Sequence, residues 1–191
     1  MKIAGLVLAA GAGRRMGTPK ALVHDADGVT WVVRTSRLLD EAGCSPVVVV
    51  VGASADQVRA ELSGELVEVV EATDWDEGMG ASLRTGLRST GTLSEAVVVV
   101  TVDVPGLTVA AVRRVADRAG VDALVRATYD GVPGHPVVIG RNHWDGVIAS
   151  ARGDEGARGY LREHEVVLVE CADVGDGADV DTVGELPPGH G

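Results

Sequence analysis

Residues 7 to 20 bring together the residue types that a phosphate-binding loop needs. This segment, VLAAGAGRRMGTPK, follows an apolar run and is rich in both glycine and basic residues. Glycine permits backbone angles and close approaches that a side chain would block, so successive N–H groups can point into one concavity. The glycines are Gly11, Gly13 and Gly17, and the basic residues are Arg14, Arg15 and Lys20. The segment therefore predicts a cradle for a polyphosphate, and the alternative is a glycine turn that serves packing alone.

The spacing of this loop excludes two better-known glycine loops. A dinucleotide fingerprint requires a glycine three positions after Gly13, where Met16 stands, and an acidic residue at the end of the second strand, where residues 52–54 read Gly-Ala-Ser. A nucleoside-triphosphatase P-loop requires Gly-Lys followed by Ser or Thr, whereas Lys20 lies between proline and alanine. The loop therefore indicates phosphate binding of another kind.

Aspartates supply the second type of chemistry. Asp103 directly follows the apolar run 96–102, and ligands gather at the carboxyl ends of parallel strands. A carboxylate facing a triphosphate predicts a magnesium ion between them, because Mg²⁺ is held by one or two carboxylates plus phosphate oxygens. The alternative is an aspartate that caps the following turn. Asp181 is the second candidate, and Asp179 has the opposite parity, so only one of the two would point inward if this acidic segment were extended.

A second glycine turn, EGMGASLRTGL, leads into a predicted helix. The free N–H groups and the dipole of a helix N-terminus attract anions, so Gly80 and Ser82 are candidates for a base or phosphate contact. An ordinary turn with a serine near the helix start explains them equally well. Arg158, in GDEGAR, is either a phosphate clamp or a partner in a surface ion pair, and His135, in GHP, receives no proton-transfer role.

Apolar runs and amphipathic segments alternate along the chain, a pattern typical of a mainly parallel sheet flanked by helices. The predicted strands are residues 2–8, 46–51, 66–71, 96–102, 121–128, 137–140 and 166–171. The predicted helices are residues 30–42, 54–62, 82–89, 108–119, 144–151 and 157–163. Ser54 and Gln57 are predicted to form a capping box at the second helix, and Thr108 to cap the fourth. Residues 129–136 are rich in turn formers and predict a hairpin or an antiparallel excursion after residue 128.

Composition limits the classes of partner and compartment. The formal net charge of −11 argues against a nucleic acid or an anionic membrane as partner, because both would repel the chain. Aromatic residues make up 3% of the 191 residues and Phe is absent, so one core must be built from Val, Leu, Ile and Ala. Cys44 and Cys171 lack the spacing of a zinc site or a disulfide framework. No apolar run approaches the roughly 20 residues that span a bilayer, and the N-terminal run is a poor secretory signal, so we expect a cytoplasmic protein that acts on small molecules.

Six motifs in this order resemble the molybdenum cofactor cytidylyltransferase branch of the MobA-like nucleotidyltransferases. They are LAAGAGRRMGTPKAL, EGMGASLRTGL, VDVP, GHPVVIG, GDEGAR and DVDT. The resemblance implies a Rossmann-like three-layer α/β sandwich in a single domain, residues 1–191, with residues 1–105 mainly binding nucleotide and residues 106–186 mainly binding the acceptor. It also implies Mg²⁺-dependent transfer of CMP from CTP to the terminal phosphate of a molybdopterin-type cofactor, with release of pyrophosphate.

The resemblance also assigns roles to individual residues. The nucleotide-binding backbone matches Leu8, Ala9, Ala10, Gly11 and Gly13. The triphosphate-binding cations match Arg15 and Lys20, and the metal-binding aspartates match Asp103 and Asp181. Ala-Ala-Gly is similar to the cytidylyl-transferring enzymes, whereas guanylyl-transferring relatives more often have Ala-Gly-Gly, so CTP is favoured over GTP.

The chain departs from the family pattern at two positions. Ala12 stands where serine is frequent, and Val183 stands where proline usually follows the DxDT motif. These departures bear on the acceptor and on the second metal ligand. The remaining alternatives are another triphosphate or another phosphorylated acceptor, and a non-catalytic chaperone that binds nucleotide or cofactor and serves a molybdoenzyme.

Overall fold

The computed structural model describes residues 1–91 and 93–191 and contains a seven-stranded sheet between two layers of helices. The strands are β1 (Ile3–Leu8), β2 (Val47–Val51), β3 (Glu68–Glu71), β4 (Ala96–Thr101), β5 (Leu124–Tyr129), β6 (Val132–Gly140) and β7 (Val167–Glu170). The helices are α1 (Trp31–Glu41), α2 (Ala55–Glu61), α3 (Met79–Ser89), α4 (Val109–Ala116), α5 (Trp144–Ser150) and α6 (Arg158–Arg162). The predicted Rossmann-like α/β sandwich is confirmed.

The two faces of the sheet carry separate apolar cores, which explains the continuous valine runs of the sequence. Along β2, Val49 belongs to the core under α1, α2 and α4, whereas Val50 belongs to the core under α3, α5 and α6. Because successive side chains of a strand alternate between faces, a strand that is covered on both faces must be apolar at every position. Cys44 and Cys171 are buried and unpaired, as expected of small hydrophobic residues. Within the part of the chain that the model describes, no helix has the length and apolar character needed to cross a membrane.

The strand order is β3-β2-β1-β4-β6-β5-β7, and β6 is antiparallel to both of its neighbours. The predicted antiparallel excursion is therefore confirmed, but β6 begins at Val132 rather than at residue 137. The reason is that Asp130 and Gly131 both have positive φ (50° and 80°) and close a two-residue turn, so pairing starts at once. The Glu170 carboxylate holds this turn by accepting hydrogen bonds from its backbone N–H groups. The N–H of Ala172, followed by the Thr128 hydroxyl and the N–H groups of the turn, stabilises the charged carboxylate and lowers the pKa of Glu170 to about 2.

Two helix starts differ from the sequence prediction, and one agrees. Ser54 has left-handed backbone angles (φ 56°) and its side chain caps no N–H of α2, so the predicted capping box is wrong. Helix α3 begins at Met79, three residues earlier than predicted, because Gly78 (φ 108°) turns the chain directly into it. The predicted cap of α4 is confirmed, since the Thr108 hydroxyl accepts a hydrogen bond from the N–H of Ala111.

The strand order positions the two segments that the sequence singled out. From β1 the chain proceeds to β2 and β3 on one side, whereas β4 lies on the other side, so the order reverses between β1 and β4. Leu8 is in register with Thr101 in this pair. The glycine loop and Asp103 therefore leave the sheet side by side at its carboxyl edge, where open α/β sheets form their ligand crevice.

Candidate nucleotide and metal site

A cleft of about 600 Å³ lies at this edge of the sheet, within the size range of small-molecule sites. Four segments line it: the glycine loop, the turn that precedes α3, the end of β4, and residues 154–181. The lining includes Leu8, Ala10, Gly11, Ala12, Gly13, Arg14, Arg15, Lys20, Trp75, Gly78, Met79, Ser82, Asp103, Asp154, Arg158, Asp179 and Asp181. Ala9 and Gly80 do not line it; the Ala9 side chain belongs to the core of α1, α2 and α4.

Glycine at position 13 and glycine at position 11 of the first loop have different structural explanations. Gly13 has φ +60°, its carbonyl accepts the N–H groups of Met16 and Gly17, and a Cβ on it would overlap the carbonyl oxygen of Thr18. The tight turn therefore requires glycine at position 13. Gly11 has no positive φ, and a Cβ there would meet no atom within 4 Å. No contact within the described residues therefore requires glycine at position 11, which lines the cleft.

Lys20 lies at the centre of a charged cluster. Its Nζ donates to Asp103 Oδ2 at 2.8 Å and to Asp181 Oδ1 at 2.6 Å, and Arg15 lies 2.9 Å from the other Asp181 oxygen. Burial opposes the charge on the ammonium, but hydrogen bonds and attraction from both carboxylates outweigh burial and raise the pKa of Lys20. The hydrogen bond from Lys20, helped by Arg15, lowers the pKa of Asp181. Each shift favours the charged form, so Lys20 and Asp181 are both ionised at neutral pH.

Three carboxylates converge beside this ammonium. One oxygen from each of Asp103, Asp179 and Asp181 lies within 4.8 Å of the others. Residues 175–181 form no strand, so the argument from strand parity does not apply, and both Asp179 and Asp181 reach the cluster. Carboxylate oxygens are the donors that Mg²⁺ and Mn²⁺ prefer, so the residues fit a divalent cation.

The backbone around Asp181 explains how a loop residue is held in place. The N–H of Val180 donates to the carbonyl of Asp103 at 2.9 Å, which fixes this segment to the end of β4. Glu185 then accepts the N–H groups of Asp181 and Thr182 at 2.8 and 3.0 Å and forms a capping box with Thr182. Val183, at the position of the missing proline, begins this short turn, so the departure from the family pattern leaves Asp181 beside Lys20.

The second glycine turn has mainly a packing role. A Cβ on Gly80 would lie 2.8 Å from the backbone nitrogen of Arg152, so close contact between the two segments accounts for this glycine. Arg84 is fully engaged by protein groups and is not free to bind an anion; its partners are Asp74, Glu77 and the carbonyl of Ala151. Ser82 alone among the residues predicted here faces the cleft, with 4% of its surface exposed.

One cleft wall contains a cationic group, Arg158, from the second half of the chain. Arg158 lines the cleft, and its side chain forms no hydrogen bond or ion pair with residues 1–91 or 93–191. His135 lies behind this wall, with Nδ1 3.2 Å from the carbonyl oxygen of Val99. Because a carbonyl only accepts, Nδ1 carries the proton, and burial lowers the pKa of His135 and keeps the ring neutral.

Sequence reasoning missed Trp75, which lines the cleft between the glycine loop and α3. The available signal was its place just after the third predicted strand, at the carboxyl edge of the sheet. It was overlooked because only glycines and charged residues were weighed at strand ends.

Known proteins are similar to this chain in sequence and in fold. Residues 5–167 match the model of the MobA-like NTP transferase domain. The chain is 36% identical to nicotine blue oxidoreductase of Paenarthrobacter nicotinovorans over 96% of its own length and 94% of that protein. It is 32% identical to molybdenum cofactor guanylyltransferase of Rhodobacter capsulatus, over 78% of the chain and 68% of the relative. Rv0371c of Mycobacterium tuberculosis, solved also in complex with manganese, has a similar structure (TM-score 0.83, 29% identity, 97% and 95% of the two chains).

Proposed function

The chain belongs to the MobA-like NTP transferase family, and we propose that it transfers CMP from CTP to the terminal phosphate of a molybdopterin-type cofactor, with release of pyrophosphate. The observation that carries the proposal is the convergence of Lys20, Asp103 and Asp181 beside the glycine loop. A nucleotide transferase must neutralise a triphosphate and hold it for attack, and a lysine with acidic metal ligands at one edge of the sheet supplies both functions.

The reaction requires placement more than proton transfer. A phosphate oxygen of the acceptor attacks the α-phosphorus of CTP in line; the bond from this phosphorus to the bridging oxygen breaks, and its electron pair leaves with pyrophosphate. The nucleophile is already anionic, so no general base is needed. Magnesium held by Asp103 and Asp181 would neutralise charge on the triphosphate. Lys20 and Arg15 provide the positive charge that faces the leaving pyrophosphate.

Lys20 has the freedom that this role requires. Its ammonium is bound to two carboxylates, but this group has three N–H donors and stands at the end of a flexible four-carbon side chain. It can therefore exchange a carboxylate for a phosphate oxygen while the ammonium stays at the edge of the glycine loop. The loop and the carboxylates line the same cleft, so Lys20 faces both groups of partners.

The two halves of the chain supply the two substrate sides in this proposal. Residues 1–105 bind the nucleotide, and the Ala9-Ala10-Gly11 sequence favours CTP over GTP. Residues 106–186 bind the acceptor, with Arg158 as the cation that faces its phosphate, because this guanidinium lines the cleft without an ion-pair partner among the described residues. Asp181 is the exception, since it comes from the second half and meets Lys20 of the first.

A second candidate is an oxidoreductase activity, favoured by 36% identity to nicotine blue oxidoreductase across nearly the whole chain. The carboxylate cluster favours the transferase, because hydride transfer from a cofactor to an organic substrate needs no acidic metal ligands. A non-catalytic chaperone is disfavoured because the chain keeps both the lysine and the aspartates.

Pyrophosphate release tests the proposal. The protein is incubated with Mg²⁺, a molybdopterin-type cofactor and CTP, GTP, ATP or UTP in turn, with Asp103→Asn as the control. We expect release with CTP that requires both metal and acceptor and is lost in Asp103→Asn. Release with another triphosphate would correct the nucleotide assignment. Oxidation or reduction of nicotine blue by the protein, without pyrophosphate release from any triphosphate, would replace the proposal by the oxidoreductase.

A further inference from the structure

The three tryptophans of the chain have different environments. Trp31 and Trp144 are buried, with 1% and 6% of their surface exposed, and their indole N–H groups donate to His190 and to the carbonyl of Ile139. Trp75 is only partly buried, lines the cleft, and donates its indole N–H to no other group in the described part of the chain. In a chain without Phe and with only two Tyr, an aromatic surface placed at the cleft needs an explanation.

The backbone holds Trp75 firmly against the sheet. The backbone N–H of Trp75 donates to the carbonyl of Ala72. The backbone N–H of Ala72 in turn donates to the carbonyl of Val51 at the end of β2. A Cβ on Gly52 would lie 2.6 Å from both Cβ and Cγ of Trp75, and 2.8 Å from Cβ of Ala10. Glycine at position 52 therefore lets the tryptophan lie directly on the strand end, beside the nucleotide loop. The side chain is placed before any ligand arrives.

The strand order sets a direction for a bound nucleotide. Trp75 follows β3, Gly52 follows β2, Gly11 follows β1 and Asp103 follows β4, and these four strands are consecutive neighbours. Three strand spacings separate the first from the last, about 14 Å in total. A triphosphate held by the cations at β1, and by a metal ion on the carboxylates at β4, would leave the nucleoside to extend toward β2 and β3.

We propose that Trp75 is the surface on which the nucleobase of the bound triphosphate stacks. This inference rests on the proposed function and adds to it the residue that binds the base. Every nucleobase has a π-face, so Trp75 supplies affinity for the nucleoside whatever its base. Ser82 lines the same cleft, and its hydroxyl has no protein partner in the described residues, so it is available to the edge of the stacked base.

Binding of two ligands separates this role from the binding of phosphate. Mg²⁺–CTP engages the base surface and the phosphate loop together, whereas Mg²⁺–tripolyphosphate engages the loop alone. Calorimetry is performed with both ligands on the wild-type protein, on Trp75→Leu and on Trp75→Phe, which keeps an aromatic face. Loss of base stacking weakens affinity by roughly 5- to 150-fold. We expect Trp75→Leu to raise the Kd for CTP by at least about 5-fold, Trp75→Phe to raise it less, and neither to change the Kd for tripolyphosphate.

Tryptophan fluorescence gives a second measurement on the same proteins. CTP, but not tripolyphosphate, should quench the wild-type emission, and Trp75→Phe should remove this quenching because the other two tryptophans are buried. Thermal unfolding of each variant shows whether it is folded at the temperature of the titration.

The outcomes distinguish this inference from the proposed function. Unchanged CTP affinity in Trp75→Leu would overturn the stacking role, and so would an equal loss of affinity for CTP and tripolyphosphate, which would mean that Trp75 acts by shaping the loop. Failure of the wild-type protein to bind any Mg²⁺–nucleotide would instead overturn the proposed function, and the stacking role with it.

Discussion

Replacing Lys20 with methionine removes the positive charge that two partly buried carboxylates share. The ammonium lies 2.8 Å from Asp103 and 2.6 Å from Asp181, and the three side chains keep only 18%, 21% and 31% of their surface exposed. Breaking a buried ion pair costs about 3 to 5 kcal/mol, and breaking a surface pair costs at most about 1 kcal/mol. The partial exposure of this cluster places the loss between the two, so we expect the free energy of unfolding to fall by about 1 to 3 kcal/mol.

This loss should appear as a lower melting temperature over a wide range of pH. For a chain of this length each kcal/mol shifts Tm by about 2 to 4 °C, so Lys20→Met should melt about 2 to 12 °C below wild type. The pKa of Lys20 is raised, so its contribution is complete below the ordinary value of 10.5 and disappears as pH rises through the higher folded pKa. The pKa of Asp181 is lowered, so its contribution is complete above the ordinary value of 3.8 and disappears as pH falls through the lower folded pKa.

The sequence offers a matched control for this variant. The only other lysine is Lys2, which is exposed and far from the cleft, so Lys2→Met changes the same residue type and the same net charge. Differential scanning calorimetry on both variants measures the stability, and pyrophosphate release measures turnover. Loss of a charge that stabilises the transition state typically costs roughly 10²-fold or more in kcat, and we expect this for Lys20→Met alone. Equal melting temperatures for the two variants, with near-normal turnover of Lys20→Met at saturating CTP, would refute the reasoning.

Three further predictions follow from the same geometry. Gly11→Ala should fold with unchanged Tm but bind nucleotide more weakly. Gly13→Ala should lower Tm, because position 13 has positive φ and the added Cβ would overlap the carbonyl oxygen of Thr18. Calorimetry with and without CTP distinguishes the two effects. Asp181→Asn should raise the Mg²⁺ concentration needed for half-maximal turnover more than Asp179→Asn does, because, of these two residues, Asp181 is the one held by Lys20 and by its backbone N–H. A larger effect of Asp179→Asn would make Asp179 the second metal ligand. Glu170→Gln should lower Tm at pH 7, and the difference should vanish as pH falls from 4.5 toward the folded pKa of about 2; a constant difference would contradict the carboxylate role.

Local pattern was sufficient to predict the strands and helices, because burial on both faces leaves a direct mark on the sequence. The valine runs of β2 and β4 are typical of strands that are covered on both faces of a sheet, and their valines do alternate between the two cores. The prediction was poorer for β6, where Pro133 and Pro136 favoured a turn. The strand begins directly after the two-residue turn that precedes these prolines. The position of β6 between β4 and β5 depends on pairing with distant strands, which local sequence does not encode.

The candidate site was predictable in its residue types but not in its partnerships. Lys20 and Asp103 were recognised separately, yet their direct ion pair across 83 positions is a product of the strand order. The parity rule allowed only one of Asp179 and Asp181 to point inward, but this rule holds only for an extended chain, and both carboxylates reach the cluster. Gly80 was assigned to a ligand, although a tertiary contact with Arg152 accounts for it, and that contact has no local signal in the sequence.

The order in which the chain is synthesised gives the carboxylate cluster a further significance. All seven strands are complete by Glu170, whereas Asp179 and Asp181 emerge from the ribosome afterwards. A nascent or prematurely terminated polypeptide that ends between these points contains every described strand of the sheet and the whole glycine loop, yet has only one of the three clustered carboxylates. If the cluster holds a metal ion as proposed, such a product would lack two of its three carboxylates, and we expect it not to turn over a triphosphate.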